Sequence, residues 1–474
     1  MNLDFIIAMK SEMMLTCIIF IILFLKVMDS LKNNTALLNV INLLLLVQCL
    51  SGFFMNQEGT AFGTLYHTNA LIAFEKSILN IGTLLISLQA FDWMKKHEHV
   101  AEFYILLLTT LLGMDFMISS SNLLMFYLSL ELSTIPLAAL ANMDLGKYKS
   151  SESALKMILS SAFASGIMLF GISMLYGTTG TLNFNEMIPH IALSNGLQLF
   201  GFILFFTGFA FKLSAVPFHL WTADVYEGAP IAVTSYLSVI SKGSIVFIFI
   251  TILYTLFRNY ESVWYDMLAI VIVLSITVGN LFAIRQNNIK RFLAFSSIAQ
   301  VGYILLGLSS GNNMGTAAAV YFLLVYTFSN LGAFGVATAI ASQTGKEDIH
   351  DYKGMYTTNP FMSWVITLSL FSLAGIPPTA GFFGKMFLVM AGAGAGNRTG
   401  NYFIVIVASL NMVVSLYYYL RIVKAIFFDK NEEPIAKVEG SRPLRMALLV
   451  CVAGILVIGF ASGISDYINS IIAK

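Results

Sequence analysis

Three lysines and one glutamate stand in stretches otherwise fit for lipid. Lys212 lies in GFAFKLSAVPFHLW, five residues before Pro217. Lys242 lies in SVISKGSIVF, and Lys385 follows the double proline of LAGIPPTAGFFGKMF. Glu131 lies in YLSLELSTIPLAAL. An unpaired charge at the centre of a bilayer costs roughly 2.5–3.5 kcal/mol on insertion scales. Each of these groups must therefore face a polar interior, pair, or give up its charge. A desolvated lysine can release its proton, whereas arginine keeps it. Lysines with a carboxylate at mid-membrane thus suit proton exchange. The plainer alternatives are a structural ion pair between helices for Glu131 and Lys212, and snorkelling of Lys242 toward an interface. Ser241, Ser296, Ser297, Gln300, Tyr303, Tyr326, Ser329 and Asn330 could hold water between the lysines, or simply bond helix to helix.

The elements that would carry these residues follow from composition. Of 474 residues 58% are hydrophobic and 11% charged, with a mean hydropathy of +0.81. A soluble chain of this size would be about a quarter charged, so the expected class is an all-α polytopic membrane protein. A net charge of +1 argues against nucleic acid as a partner. Cys17, Cys49 and Cys451 are far apart in apolar runs, and the six histidines form no metal-binding pattern. The opening MNLDFIIAMK lacks a basic region and a cleavage site, and reads as mature chain.

Apolar runs separated by polar breaks predict about 14 spans, near 11–29, 36–55, 70–93, 101–120, 122–142, 153–176, 196–221, 230–256, 264–284, 292–309, 313–342, 361–392, 401–428 and 443–468. Of the 26 lysines and arginines, about 18 fall in connections after odd-numbered spans, among them Lys95, Lys96, Lys147, Lys149, Arg285, Lys290, Arg291 and Arg442. About four fall on the other side: Lys10, Arg258, Arg398 and Lys474. Basic residues mark the cytoplasmic side, so both termini are expected on the non-cytoplasmic side. Lys76 is adjacent to Glu75 near a span start, where it could snorkel or pair locally.

Two spans carry breaks. Pro217 interrupts the seventh, and Pro377 and Pro378 the twelfth. Breaks five spans apart imply two five-helix units of inverted orientation, the arrangement that puts an ion path at mid-membrane. The expected division is residues 1–100 for three leading helices, 101–256 for the first unit, 264–428 for the second, and 443–474 for a closing helix.

The stretch KLSAVPFHLWTADVYEGAPIAVTSYLSVISK resembles the antiporter-like membrane subunits of bacterial respiratory complex I, the proton-translocating NADH:quinone oxidoreductase, and among them the subunit N group. The resemblance continues through NLLMFYLSLELSTIPLAAL, SALKMILSSAFASGIMLFGISMLYGTTGTL, NNIKRFLAFSSIAQVGYILLGL and AGIPPTAGFFGKMF, from about Ser120 to Phe428. It implies that Glu131 and Lys212 form the charge pair of a first half-channel, that Lys242 is the central relay, and that Lys385 ends the second half-channel. It further implies a bacterial cytoplasmic membrane location and neighbouring antiporter-like subunits. Ala223 departs from the family's usual proline, and Ile231-Ala232 from its Thr-Pro. Many relatives have histidine where this chain has Gln300, and glutamine orders water but takes up no proton near neutral pH.

There is no CxxC set, no Rossmann fingerprint and no P-loop, and AGAGAGN at Ala391–Asn397 misses GxGxxG. Flavin, iron–sulfur clusters and quinone are therefore expected in partner subunits and not in this chain. The leading expectation is a proton-translocating translocase subunit. A sodium/proton antiporter subunit is the runner-up, and a purely structural membrane scaffold the third reading.

Overall fold

The computed structural model describes residues 7–28, 33–53, 58–394, 400–461 and 463–473. Arg398, Lys474 and part of the Ala391–Asn397 stretch lie outside the described residues. Helices follow the apolar runs: α1 Lys10–Val27, α2 Asn34–Phe53, α3 Ala70–Gln89, α4 Val100–Ile118, α5 Leu123–Ala141 and α6 Tyr148–Thr179. The seventh is split into α7a Gly196–Lys212 and α7b Leu220–Gly228. Then come α8 Ile231–Leu256, α9 Glu261–Ile284, α10 Ile289–Leu308 and α11 Asn313–Thr344. The twelfth is split into α12a Pro360–Ala374 and α12b Ala380–Ala393. The chain closes with α13 Gly400–Phe427, α14 Arg442–Phe460 and α15 Gly463–Ile472. One antiparallel hairpin, β1 Gly59–Ala61 with β2 Tyr66–Thr68, sits between α2 and α3.

Among the described residues eleven helices are long and apolar enough to cross a membrane, and α7a, α12a and α12b are shorter apolar helices. The expected last span to 468 is shorter in the structure. It ends at Phe460, and α15 is a separate helix that buries Ile468 and Ile471.

Both breaks lie where the sequence puts proline. Ser214 has φ +59° just after α7a, and the amide of Val216 donates to Ser275 Oγ of α9 (2.9 Å). Gly375, with φ +85°, ends α12a, and the amide of Gly381 donates back to Ser372 Oγ (3.2 Å). Helix α8 is irregular in another way. Leu237–Ser241 and Ile252–Leu256 are π-helical, flanking the regular stretch Lys242–Thr251. Such widened turns gather at functional positions.

The helix pairs in closest contact are α4 with α5 and α6 with α7a in the first half, and α9 with α10 and α11 with both parts of α12 in the second. Gly171 of α6 and Gly201 of α7a bring those backbones together, since a Cβ on Gly171 would come within 2.6 Å of the Gly201 carbonyl. Small residues at such crossings are what membrane helix pairs use. Helices α10 and α11 are enclosed along nearly their whole length. Two of the lysines, Lys242 and Lys385, sit against α10.

Candidate functional site

Lys212 is the last residue of α7a. The last carbonyls of a helix have no intrahelical donors, and the dipole there favours a cation. The break beginning at Leu213 thus leaves Lys212 in the last turn of a helix, at its negative end. Lys212 Nζ donates to Thr134 Oγ1 of α5 (3.0 Å) and to Ser161 Oγ of α6 (2.6 Å). Trp221 Nε1 donates to the Phe211 carbonyl (3.3 Å), tying α7b back to the broken end. Glu131 is one turn before Thr134 on α5. It is near enough to act on Lys212 electrostatically, yet no ion pair joins the two. Its Oε1 is buried without a hydrogen-bond partner. The hydroxyls of Thr134 and Ser161, which sequence reasoning missed, hold the ammonium directly.

A cavity of about 20 Å³ adjoins Lys212, lined also by Thr134, Ser161 and Ser241. That is space for one water. It reaches from the broken end of α7a to the residue before Lys242.

Lys242 is 3% exposed, which rules out snorkelling. Its Nζ donates to Ser297 Oγ of α10 (2.8 Å) and lies 5.5 Å from the centre of the Tyr226 ring. The π-helical turn before it shifts α8 so that Lys242 faces α10. Beside it, Asn330 Nδ2 donates to Ser238 Oγ (2.8 Å) and Tyr326 Oη (2.7 Å).

From Lys242 the polar residues of α10 recur at Ser297, Gln300 and Tyr303, one turn apart each time and so on one face. Gln300 Nε2 donates to the Leu373 carbonyl (3.0 Å) and Tyr419 Oη (3.1 Å), and Ser296 bonds the same tyrosine hydroxyl. Gln300 Oε1 is buried and free to accept. Tyr303 presents its ring face to Lys385 Nζ, 4.9 Å from the ring centre. Lys385 Nζ also lies 3.3 Å from the carbonyl of Ala374, the last residue of α12a. It is 2% exposed. Each broken helix therefore has a lysine at the end of its first half: Lys212 is the last residue of α7a, and Lys385 of α12b reaches back to the last residue of α12a.

Two further groups of charges were not legible as sites. On the connection side, Arg291 bonds both Asp224 and Glu227 (2.9 Å each), Lys156 bonds Asp224 (2.7 Å), and Lys149 bonds Glu227 (2.9 Å). Partial burial works to raise the Asp224 and Glu227 carboxyls, but these hydrogen bonds outweigh it and hold both below the ordinary carboxylate range. Lys290, expected in a loop, is instead 5% exposed on the first turn of α10 and pairs with Glu347 (3.1 Å). A cavity of about 380 Å³ opens there, lined by Lys149, Glu227, Lys290 and Glu347. The second group corrects the local reading of Lys76. Its partner is Glu12, 64 residues earlier on α1, together with Tyr66 Oη (3.0 Å), and not the adjacent Glu75. Among the described residues no group of three or more His, Cys, Asp and Glu side chains could hold a metal ion.

A family model described as NADH:quinone oxidoreductase/Mrp antiporter, transmembrane, matches residues 120–414. A protein of Phocaeicola vulgatus named NADH-quinone oxidoreductase subunit N is 48% identical over 473 residues, 99% of each chain. One of the same name from Azobacteroides pseudotrichonymphae is 47% identical over 423 residues, 88% of this chain and 87% of the other. A chain in the structure of respiratory complex I from Thermus thermophilus with bound aureothin superposes with a TM-score of 0.79 at 28% identity, over 96% of this chain and 97% of that one. With the match covering the broken helices and all four charged positions, and with near-half identity along the whole length, the chain belongs to the family of antiporter-like membrane subunits of NADH:quinone oxidoreductase and Mrp antiporters.

Proposed function

We propose that this chain is the proton-translocating membrane subunit N of a bacterial NADH:quinone oxidoreductase, and that Glu131, Lys212, Lys242 and Lys385 carry the protons. The observation that supports this reading is a succession of polar side chains: Lys212 and Ser241 line one cavity, Lys242 bonds Ser297, Gln300 and Tyr303 follow on the same helix, and Lys385 lies against the Tyr303 ring. In this reading Glu131 tunes Lys212 through its field, Lys242 relays, and Lys385 ends the path. Gln300 orders water and passes no proton through its own side chain. The chain crosses the cytoplasmic membrane about 14 times with both termini outside the cytoplasm. Its two five-helix units, 101–256 and 264–428, are inverted copies, with residues 1–100 before them and 443–474 after. Flavin, iron–sulfur clusters and quinone belong to partner subunits, and neighbouring antiporter-like subunits flank it in the membrane.

The test is NADH-driven proton uptake by inside-out vesicles, normalised to assembled complex. Lys385→Ala and Lys385→Arg are both expected to lower it, because arginine restores the charge but releases no proton. An arginine variant that pumps normally would refute proton exchange at Lys385. Sodium replacing protons as the transported ion would favour an antiporter subunit. Normal pumping after loss of all three lysines would leave a scaffold.

A further inference from the structure

Lys242 has little to hold its charge. A protonated lysine offers three N–H donors. One of them goes to Ser297 Oγ (2.8 Å), and the proton of Ser297 goes to the Ala294 carbonyl (2.7 Å), so this serine can only accept from the lysine. Among the described residues Lys242 Nζ makes no other hydrogen bond and pairs with no carboxylate. What stands over the ammonium instead is the face of the Tyr226 ring, with Nζ 5.5 Å from its centre. An aromatic face is the negative side of the ring and attracts a cation within about 6 Å, more strongly where water is excluded. Tyr226 is fully buried. Its hydroxyl does not explain why a tyrosine stands here, because Oη lies near Ser238 and Ser297 but bonds neither.

The ring is placed by α7b, and α7b is tied down along its length. Trp221, near its start, donates to the Phe211 carbonyl (3.3 Å). Asp224 and Glu227, on either side of Tyr226 in sequence, are both bonded by Arg291 (2.9 Å each). The Tyr226 carbonyl accepts from Thr234 Oγ1 of α8 (3.0 Å). At the far end Gly228 is pressed against α6, where an added Cβ would come within 2.3 Å of the Lys149 carbonyl. Arg291 and Ser297 belong to one helix, α10. That helix thus holds α7b with the first residue and Lys242 with the second, and Tyr226 closes the triangle. A leucine could fill the same space, but it would offer no negative face.

We infer that Tyr226 is a positioning residue for Lys242: its ring face, held in place by α7b, keeps the protonated ammonium against Ser297. The inference rests on the reading that Lys242 relays protons. The ring attracts the ammonium and not the neutral amine, so it acts on one protonation state of the relay only.

The test places phenylalanine and its mono-, di- and trifluoro forms at position 226 of the full complex by nonsense suppression, beside Tyr226→Leu and Lys242→Met. Fluorine draws charge from the ring face and leaves its shape nearly unchanged. NADH-driven proton uptake by inside-out vesicles is read per assembled complex, with Tyr226→Phe as the reference. Each fluorine is expected to lower uptake, to roughly a tenth of the reference for the trifluoro ring, and Tyr226→Leu is expected to fall at least as far. Packing alone would give a flat series, because the shape is kept, and a flat series at equal assembly would overturn the inference. So would a Tyr226→Phe variant no better than Tyr226→Leu, which would move the role to the hydroxyl. Lys242→Met separates the two levels. If it does not pump, a flat series removes Tyr226 alone; if it pumps normally, the reading of Lys242 as a relay falls and this inference with it.

Discussion

Replacing Gly375 by alanine moves Lys385 without altering it. Gly375 has φ +85°, and an added Cβ would stand 3.1 Å from Lys385 Cδ. The left-handed backbone costs a non-glycine residue about 1–2 kcal/mol. The contact costs something further, because the lysine must retreat by a few tenths of an ångström in a site that is 2% exposed. Its ammonium then loses part of the 3.3 Å contact with the Ala374 carbonyl. A hydrogen bond to a charged group contributes about 1.5–3 kcal/mol. Weakening it by about 1 kcal/mol corresponds to roughly a fivefold fall in rate. Gly345, at the end of α11, supplies the control, since its φ is +70° and an added Cβ there meets nothing within 4 Å. Gly345→Ala carries the same backbone strain and leaves the lysine untouched. The assay is NADH-driven proton uptake in inside-out vesicles at equal assembly. Gly375→Ala is expected to pump several-fold less than Gly345→Ala. Equal pumping by the two variants would refute the claim that the position of Lys385 against the end of α12a matters.

Ser297→Ala removes the only hydrogen-bond acceptor Lys242 has among the described residues and is expected to cut pumping about tenfold, while Ser297→Thr restores it; an alanine variant with full activity would remove Ser297 from the path. In the cycle of Glu131→Gln, Lys212→Met and the double variant, the absence of direct contact sets the expected coupling near 1 kcal/mol, and strictly additive losses of proton uptake would take Glu131 out of the mechanism. Arg291→Ala strips Asp224 and Glu227 of their shared partner. Their lowered carboxyls add stability that is complete above the ordinary carboxylate range and fades as pH falls through the lowered values, so thermal unfolding of the variant should set in at a higher pH on acidification, and an unchanged pH profile would contradict this.

How far the sequence could be read depended on whether the informative contact was local. A proline inside an apolar run breaks a helix whatever surrounds it, so α7 and α12 were visible at Pro217 and at Pro377-Pro378. A lysine deep in such a run must be buried, so Lys212, Lys242 and Lys385 stood out by position alone. Partners were another matter. Thr134 and Ser161 are unremarkable in their own helices and matter only because α5 and α6 pack beside the end of α7a. Glu12 and Asp115 lie toward the ends of apolar runs, where a charge reads as interfacial, and only the packing of α1, α3 and α4 turns them inward with Lys76. Lys290 was hidden for the opposite reason. It lies in a basic cluster that marks a connection, yet helix α10 begins at Ile289, and Glu347 closes over it.

The three lysines are not equivalent as places for a charge. Lys212 ends α7a, and Lys385 meets the final carbonyl of α12a. A free helix C-terminus favours a cation by about 0.3–1 kcal/mol when exposed and up to about 2 kcal/mol when partly buried. Lys242 begins the regular stretch of α8, with its own carbonyl inside a continuing helix, and has one hydroxyl and one aromatic face for company. On the proposed path, a lysine at the end of a broken helix thus stands at each end and a lysine within a continuing helix stands between. In that proposal a proton at Lys242 would pass to whichever end is vacant. On the same proposal, a movement that changes the grip of Thr134 and Ser161 on Lys212, or the distance of Lys385 from Ala374, would bias the direction of transfer without moving Lys242. Between the halves of the seventh and twelfth helices the helical hydrogen-bond ladder is interrupted, and it is there that such a movement would be absorbed.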